Sequence, residues 1–586
     1  MKLCTFSERI NPLLRNLPLH KTGLVFDTNY SMKTPKKKIA GVSLSLLLLG
    51  VTLHPALAQD DPVSSVSAFD KSLLNWYNLD PVQDNVQGAS VNRAYKELLV
   101  NKKPKKTIVV AVIDSGVDIF HEDLKGKIWT NTKEVAGNGQ DDDNNGYVDD
   151  VHGWGFLGNA QGENIRYETY EYVRLLRKLA PTYQNVSSIS EVPLAQQPEY
   201  KTYLRSKEAY EKQLANYQKT RATLADFEQS LLAVQAVLAE HLKTKEFTLE
   251  DVKRISSKDP NVMRARQWMM GTQSQGLTPD AFYKYKEHVD TFLDKHLNLE
   301  FNPRAVIADN PESITDRKYG NNDVAGPRPN HGTPVSGLIA GVRGNNLGID
   351  GIAEDVQIMA LRAVPEGDER DKDIALAIRY AVDNGAHIIN MSFGKGFSPQ
   401  KQFVDEAVKY AESKNVLLVH AAGNEASNND EVPHYPTRTL ENGSQIRSWI
   451  EVGATSKALG KDLVGSFSNY GKQTVDLFAP GVDIVSLAPQ NQYNKMDGTS
   501  FSTPVVSGVA ALVWSHYPEL TAAELKDVLL KSVNTYPKET ALSPSDKPEA
   551  RKKIKLSELS VTGGLVNAYN ALVLAEKVVS AKKAKS

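Results

Sequence analysis

A single cysteine, Cys4, occurs in the 586 residues. A fold without partner thiols has no intrachain disulfide to lean on, so its stability must come from core size or a bound metal. Long apolar runs are also missing. The longest, Ile39 to Leu53, falls short of the roughly 20 residues a membrane span needs. Charge of one sign is nearly absent in sum: the formal net charge is −1, which excludes a global field drawing in nucleic acid or an anionic membrane. No internal repeat at solenoid spacing occurs either. What remains is an ordinary globular balance, 41% hydrophobic and 24% charged, on a chain long enough for a large core and more than one unit.

The neutral total hides an asymmetry. Residues 1–58 hold eight Lys or Arg against two acids, Glu8 and Asp27, and leave the remainder at about −7. Within that stretch Lys33, Lys36, Lys37 and Lys38 precede the apolar run, and Ala56-Leu57-Ala58 gives a small-x-small site before Gln59. This is the layout of a secretory signal peptide, with Met32 as a possible start. It predicts export to the periplasm or the medium, cleavage before Gln59, and no membrane span thereafter. An uncleaved anchor is the alternative.

Ile108 to Ile113 is a continuous β-branched and small-apolar run ending at Asp114, the pattern of a strand buried on both faces of a parallel sheet. Similar runs return at Ile358–Leu361, His387–Met391, Val416–Ala421 and Trp449–Val452, alternating with helical stretches at Lys372–Asn384 and Gln402–Lys414. This predicts an α/β fold, a doubly wound and mostly parallel sheet. Residues 163–305 differ in kind, being rich in Tyr, Leu, Lys, Glu and Ala. Leu224, Phe227, Leu231, Val234, Leu238 and Leu242 recur at helical spacing within one or two long helices between Tyr200 and Lys243. Helix starts are expected at Thr248, with Asp251 three residues on, and at Thr278-Pro279. The expected organisation is an N-terminal extension and signal (1–58), a lead-in (59–106), a catalytic unit (107–162 and 306–575) carrying a helical insertion (163–305), and a basic tail (576–586).

Three segments carry chemistry. Asp114 ends a buried strand within Val-Ile-Asp-Ser-Gly-Val-Asp, where open α/β sheets place their sites. His331 opens Asn-His-Gly-Thr-Pro-Val-Ser-Gly, whose small residues let a helix begin close to the sheet. Ser500 lies in Asp-Gly-Thr-Ser-Phe-Ser-Thr-Pro before an apolar helix at Val505–Ser515, with Pro504 suited to a first turn and free N–H groups nearby. Singly, each has a plainer reading: a capping Asp, a buried His, an N-cap Ser.

Together, and in this order, the three segments resemble the Asp, His and Ser blocks of the subtilase family of serine peptidases. The resemblance covers roughly residues 107–157 and 319–575. His420-Ala421-Ala422-Gly423-Asn424 resembles the family's oxyanion segment, and Asn390-Met391-Ser392-Phe393-Gly394 its substrate-pairing edge. It implies a subtilisin-like sheet, a triad of Asp114, His331 and Ser500, Asn424 as oxyanion donor, and Ser392, Phe393, Gly394 and Gly423 along the groove. Protein or peptide substrates follow, with no nucleic acid. Phe501 and Ser502 depart from the family's usual Met and Ala, and Glu354 from its Pro. The lead-in also looks short for the family's inhibitory propeptide. The resemblance leaves open a restricted processing peptidase or peptide ligase on the same fold, and a binding protein with a vestigial triad.

Between the first two blocks, Asp141, Asp143, Asn145, the Tyr147 carbonyl and Asp149 follow the opening of a calcium-loop pattern. His152 stands where the closing Glu would be, so a complete helix–loop–helix site is not supported. So many carboxylates in ten residues repel one another without a cation, which favours Ca2+ over a merely solvated turn.

Overall fold

The computed structural model describes residues 64–584; the signal segment lies outside them. Along the chain come α1 (Val91–Glu97), β1 (Ile108–Asp114) and β2 (Gly153–Gly155). Six helices follow: α2 (Glu171–Tyr183), α3 (Gln197–Leu242), α4 (Leu249–Arg254), α5 (Pro260–Ser274), α6 (Pro279–Thr291) and α7 (Arg304–Ile307). The alternation then resumes with α8 (Gly332–Ala340), β3 (Val356–Arg362), α9 (Asp371–Asp383), β4 (Ile388–Met391) and α10 (Lys401–Ser413). Strands β5 (Leu417–Ala421), β6 (Trp449–Thr455), β7 (Leu477–Pro480), β8 (Ile484–Ala488) and β9 (Gln492–Met496) lead into α11 (Thr499–His516) and α12 (Ala522–Lys531). The chain closes with β10 (Asn534–Thr535), β11 (Thr540–Leu542), β12 (Lys553–Lys555), β13 (Gly564–Leu565) and α13 (Ala568–Lys583).

The central sheet has the order β10-β13-β7-β6-β5-β4-β1-β3-β2 and is parallel from β13 to β2, a subtilisin-like α/β arrangement. Alternation along β1 explains its two covered faces. Ile108, Val110 and Val112 pack in one core with α8 and α11, while Ala111 and Ile113 pack in a second with α9 and α10. Strand β1 pairs with β3 on one side and β4 on the other. The crossover from β3 to β4 therefore passes over it, and the crevice at its carboxyl end is the switch point where such sheets bind ligands.

The insertion is helical, as the periodicity predicts, with α3 running unbroken for 46 residues. Leu224, Phe227, Leu231 and Leu238 are buried against α4, α5 and α6, and the first half of α3 packs on α2 through Tyr200 and Tyr203. Both expected caps form: Thr248 and Asp251 close a capping box, and Thr278 accepts from the Ala281 amide. Two expectations change. Residues 576–583 are the second half of α13 rather than a tail, because Ala575 and Val579 bury one side of the helix in the main core. Helix α11 begins at Thr499, so Ser500 lies inside its first turn and Pro504 is an interior residue.

The lead-in is part of the core. Trp76 and Tyr77 have no exposed surface; the Trp76 indole donates to the Asp483 carbonyl at 3.1 Å and the Tyr77 hydroxyl to that of Asp350 at 3.0 Å. Trp76→Ala is expected to cost about 3–5 kcal/mol of stability, read as a lowered midpoint in urea; a loss under about 1 kcal/mol would mean the lead-in is only laid on the surface.

Candidate active site

Asp114 is the last residue of β1, and its carboxylate is buried, with 1% of its side chain exposed. Its Oδ1 accepts from the Ser115 amide at 2.7 Å and lies 2.8 Å from His331 Nδ1. Glycine makes this approach possible. A Cβ at Gly332 would lie 2.2 Å from the Gly116 carbonyl oxygen and 3.1 Å from the Asp114 Cβ, so any larger residue would push the start of α8 off the strand. Burial works against the imidazolium of His331, but the neighbouring Asp114 charge and hydrogen bond outweigh it and hold the ring above its ordinary value of 6.5.

Ser500 reaches the same edge from the first turn of α11. Its hydroxyl donates to the Ser392 carbonyl at 3.1 Å, and the Ser392 hydroxyl donates to the Ser500 carbonyl at 2.9 Å. The nucleophile candidate is thus clasped to the chain leaving β4 rather than bonded to His331. Behind Ser392, the Asn390 amide donates to its hydroxyl at 2.9 Å and the Ser507 hydroxyl donates to Asn390 Oδ1 at 2.9 Å. Phe501, the departure noted in the sequence, packs its ring 5.6 Å from that of His331. Ser502 turns away and donates to the Ala479 carbonyl at 3.0 Å.

Asn424 lies three residues beyond the end of β5. Its Oδ1 accepts from both the backbone N–H and the hydroxyl of Thr499, at 2.9 and 3.0 Å. Because that oxygen is held by two donors, the amide orientation is fixed and the Nδ2 hydrogens are left to point elsewhere. Thr499 also takes the Gly423 amide at 3.2 Å. It is a functional residue the sequence reading missed, although its place directly before Ser500 was a usable signal. Ser392 and Phe393 are buried and Gly394 is half-buried at the exit of β4. Gly423 adopts φ +106°, where a side chain would be strained and would meet Asn469 Nδ2 at 2.3 Å.

The acidic loop brings one further carboxylate to two of the expected ligands. Glu134, Asp141 and Asp143 bring carboxylate oxygens within 4.8 Å of one another, and Glu134 Oε2 is enclosed without a partner. Burial raises the Glu134 carboxyl, and Asp150 and Asp143 add to the rise. This hard-oxygen donor set fits a divalent cation such as Ca2+. Asp149 instead accepts from the Gly137, Asn138 and Gly139 amides at 2.8, 3.1 and 2.9 Å. Asn145 Oδ1 accepts from the Tyr147 amide at 2.8 Å. Asp149 and Asn145 thus also make hydrogen bonds within the loop; Glu134, seven residues upstream of Asp141, joins the carboxylate cluster because the turn folds back on it.

Comparison with known proteins gives one family. The profile of the subtilase family matches residues 105–549. The chain is 42% identical over 187 residues to the thermophilic serine proteinase of Bacillus sp. (strain AK1), covering 32% of this chain and 43% of that protein. It is 31% identical over 298 residues to the cell wall-associated protease of Bacillus subtilis (strain 168), 49% of this chain and 31% of that one. Subtilisin DY of Bacillus licheniformis is 35% identical over 202 residues, 34% of this chain and 68% of its own length. Among solved structures, the prenylagaramide maturation protease PagA shares 29% identity over 42% of this chain and 82% of that one, with a TM-score of 0.34. The chain thus spans less than half the length of the first two relatives, and the match to the family profile takes in well over half of its own residues, the Asp, His and Ser segments included. This chain belongs to the subtilase family.

Proposed function

We propose that this protein is an exported serine endopeptidase that hydrolyses peptide bonds through an acyl-enzyme. The observation that carries the reading is the Asp114–His331 hydrogen bond of 2.8 Å, at the crevice edge that Ser500 also reaches. Ser500 Oγ attacks the scissile carbonyl carbon while His331 Nε2 takes its proton. Asp114 keeps the imidazole oriented and stabilises the imidazolium without accepting the proton. The tetrahedral oxyanion is received by Asn424 Nδ2 and the Ser500 backbone N–H. His331 then protonates the leaving amine, and water repeats the sequence to release the acid and restore Ser500.

The test uses the mature protein from Gln59 with unfolded casein and a serine-directed fluorophosphonate, in the presence of calcium. Casein cleavage with the label mapped to Ser500 is expected. Labelling without cleavage would favour a restricted processing enzyme, a reading supported by the contacts of Glu171 in the insertion with Asp368 after β3 and Lys395 after β4. With neither, in folded protein, the endopeptidase reading fails and a binding role comes forward.

Asn424→Ala should lower kcat by about 100- to 1,000-fold with little change in KM, the effect of removing one oxyanion donor in subtilisin. Fluorogenic peptide kinetics check this, and a loss below threefold would remove Asn424 from the oxyanion site.

The acidic loop is assigned a structural Ca2+ held by Glu134, Asp141 and Asp143. Chelation should lower Tm by several degrees, and calcium rather than magnesium should restore it; an unchanged Tm overturns the assignment. Export rests on the layout of residues 32–59. Among the described residues no helix is long and apolar enough to cross a membrane.

A further inference from the structure

The edge segment Ser392–Gly394 is followed at once by a lysine that has no place in an apolar strand exit. Lys395 is 2% exposed at its side chain. Its ammonium donates to Glu171 Oε2 at 2.8 Å and to the Glu369 carbonyl at 2.7 Å, and pairs with Asp371 Oδ1 at 2.9 Å. Its charge is therefore met by two carboxylates and a carbonyl. Glu171 is the first residue of α2 and belongs to the insertion, 224 positions away in the chain.

Glu171 is itself locked. Arg174 forks onto it through Nε at 3.1 Å and Nη2 at 2.5 Å, and reaches the Asp368 carbonyl at 3.0 Å. The Glu171 amide donates to Asp368 Oδ2 at 2.8 Å, and Arg370 pairs with Glu168 at 2.9 Å. Three acids (Glu168, Glu171, Asp371) thus face three bases (Arg174, Arg370, Lys395), with the Asp368 and Glu369 carboxyls beside them. A second, apolar contact runs beside it: Phe397 packs on Tyr172 of α2, with ring centroids 6.4 Å apart, and under the Arg205 guanidinium of α3 at 4.7 Å. On the opposite side Lys395 exchanges backbone hydrogen bonds with Tyr435, at 3.0 and 2.9 Å.

The residues directly after Ser392–Gly394 are therefore held from one side by the insertion and from the other by residue 435. We propose that the insertion is a positioning element for the substrate-pairing edge, acting through Glu171 on Lys395 and through Tyr172 and Arg205 on Phe397. The proposal rests on the endopeptidase reading above. Its consequence is selective. A long extended peptide needs the edge in register over several residues, whereas a small activated ester needs little more than the triad and the oxyanion donors.

The experiment compares wild type, Glu171→Gln and Phe397→Ala on two substrates: a peptide with at least four residues before the scissile bond, and a single-residue N-acyl ester. Active-site concentration is fixed by fluorophosphonate titration, so partial unfolding cancels. For each variant, KM for the peptide should rise about 10-fold or more while ester kcat/KM stays within about twofold. Hydrogen exchange at residues 392–397 should quicken in both variants. Equal losses on the two substrates, or no loss with unchanged exchange, overturn the positioning role. A wild type that neither labels nor turns over the ester sinks the endopeptidase reading instead. Phe397→Ala leaves the buried charges paired, so the test stands if Glu171→Gln fails to fold.

Discussion

Ser500→Ala is expected to lower kcat by about a million-fold on a fluorogenic peptide, with KM nearly unchanged and fluorophosphonate labelling abolished. The size follows from the triad acting as a unit: in subtilisin, removing the serine alone costs about as much as removing all three residues, roughly 2 × 10⁶ in kcat. The geometry here adds a reason for KM to hold. The Ser500 hydroxyl donates to the Ser392 carbonyl at 3.1 Å, but the reverse clasp, from the Ser392 hydroxyl to the Ser500 carbonyl at 2.9 Å, uses backbone and survives the substitution. The groove edge should therefore keep its place. A residual rate about 10³- to 10⁴-fold above water should remain from the oxyanion donors and binding alone. Retention of more than a few per cent of wild-type turnover would mean that another nucleophile does the work.

Asp114→Asn is expected to lower kcat by about 10⁴-fold, the cost of that exchange in a comparable triad, and to move the acid limb of the pH profile. The sign follows from the site. His331 must be neutral to accept the Ser500 proton, so kcat/KM falls as pH drops through its pKa. Burial alone lowers that pKa; the Asp114 charge and its 2.8 Å hydrogen bond raise it past the ordinary 6.5. The wild-type limb therefore lies above 6.5, and with the charge removed it shifts to lower pH. A profile of kcat/KM between about pH 5 and 9 on both proteins reads the shift. An unmoved limb, or a loss under tenfold, would show that Asp114 does not face the catalytic base.

The buried charge set also has a direction in pH. Burial pushes the Glu369 carboxyl up; Lys395 opposes the rise and Asp368 adds to it. A carboxyl raised by folding contributes stability that is full below its unfolded pKa and is lost as pH rises through the folded one. Folding stability should therefore carry a component that is full in acid and is lost as pH rises through the raised Glu369 value.

Much of this molecule is local and was readable in order along the chain. The run from Ile108 to Asp114 announces a strand covered on both faces, and the two cores take alternate residues of it. The stripe from Leu224 to Leu242 announces its helix face, and Thr248 and Thr278 their caps. Each of these depends on neighbours within a few positions, through side-chain period or a hydrogen bond closed inside one turn. The three motif segments were legible for the same reason, since each packs its glycines and small residues around one reactive side chain.

What the tertiary structure decided depends on partners far apart in the chain. Thr499 fixes the Asn424 amide across 75 residues, and Glu171 meets Lys395 across 224. Glu134 joins Asp141 and Asp143 because the loop folds back, while the Asp149 carboxylate is taken by three backbone amides. No periodicity encodes such pairs. A buried charge takes whichever opposite charge docking brings within about 3 Å, since leaving it unpaired costs several kcal/mol. By itself the sequence determined the sheet, the helices and the candidate residues from which the site is proposed. Which face of the insertion meets the groove was settled only when the two units packed together and every buried charge had to find its partner.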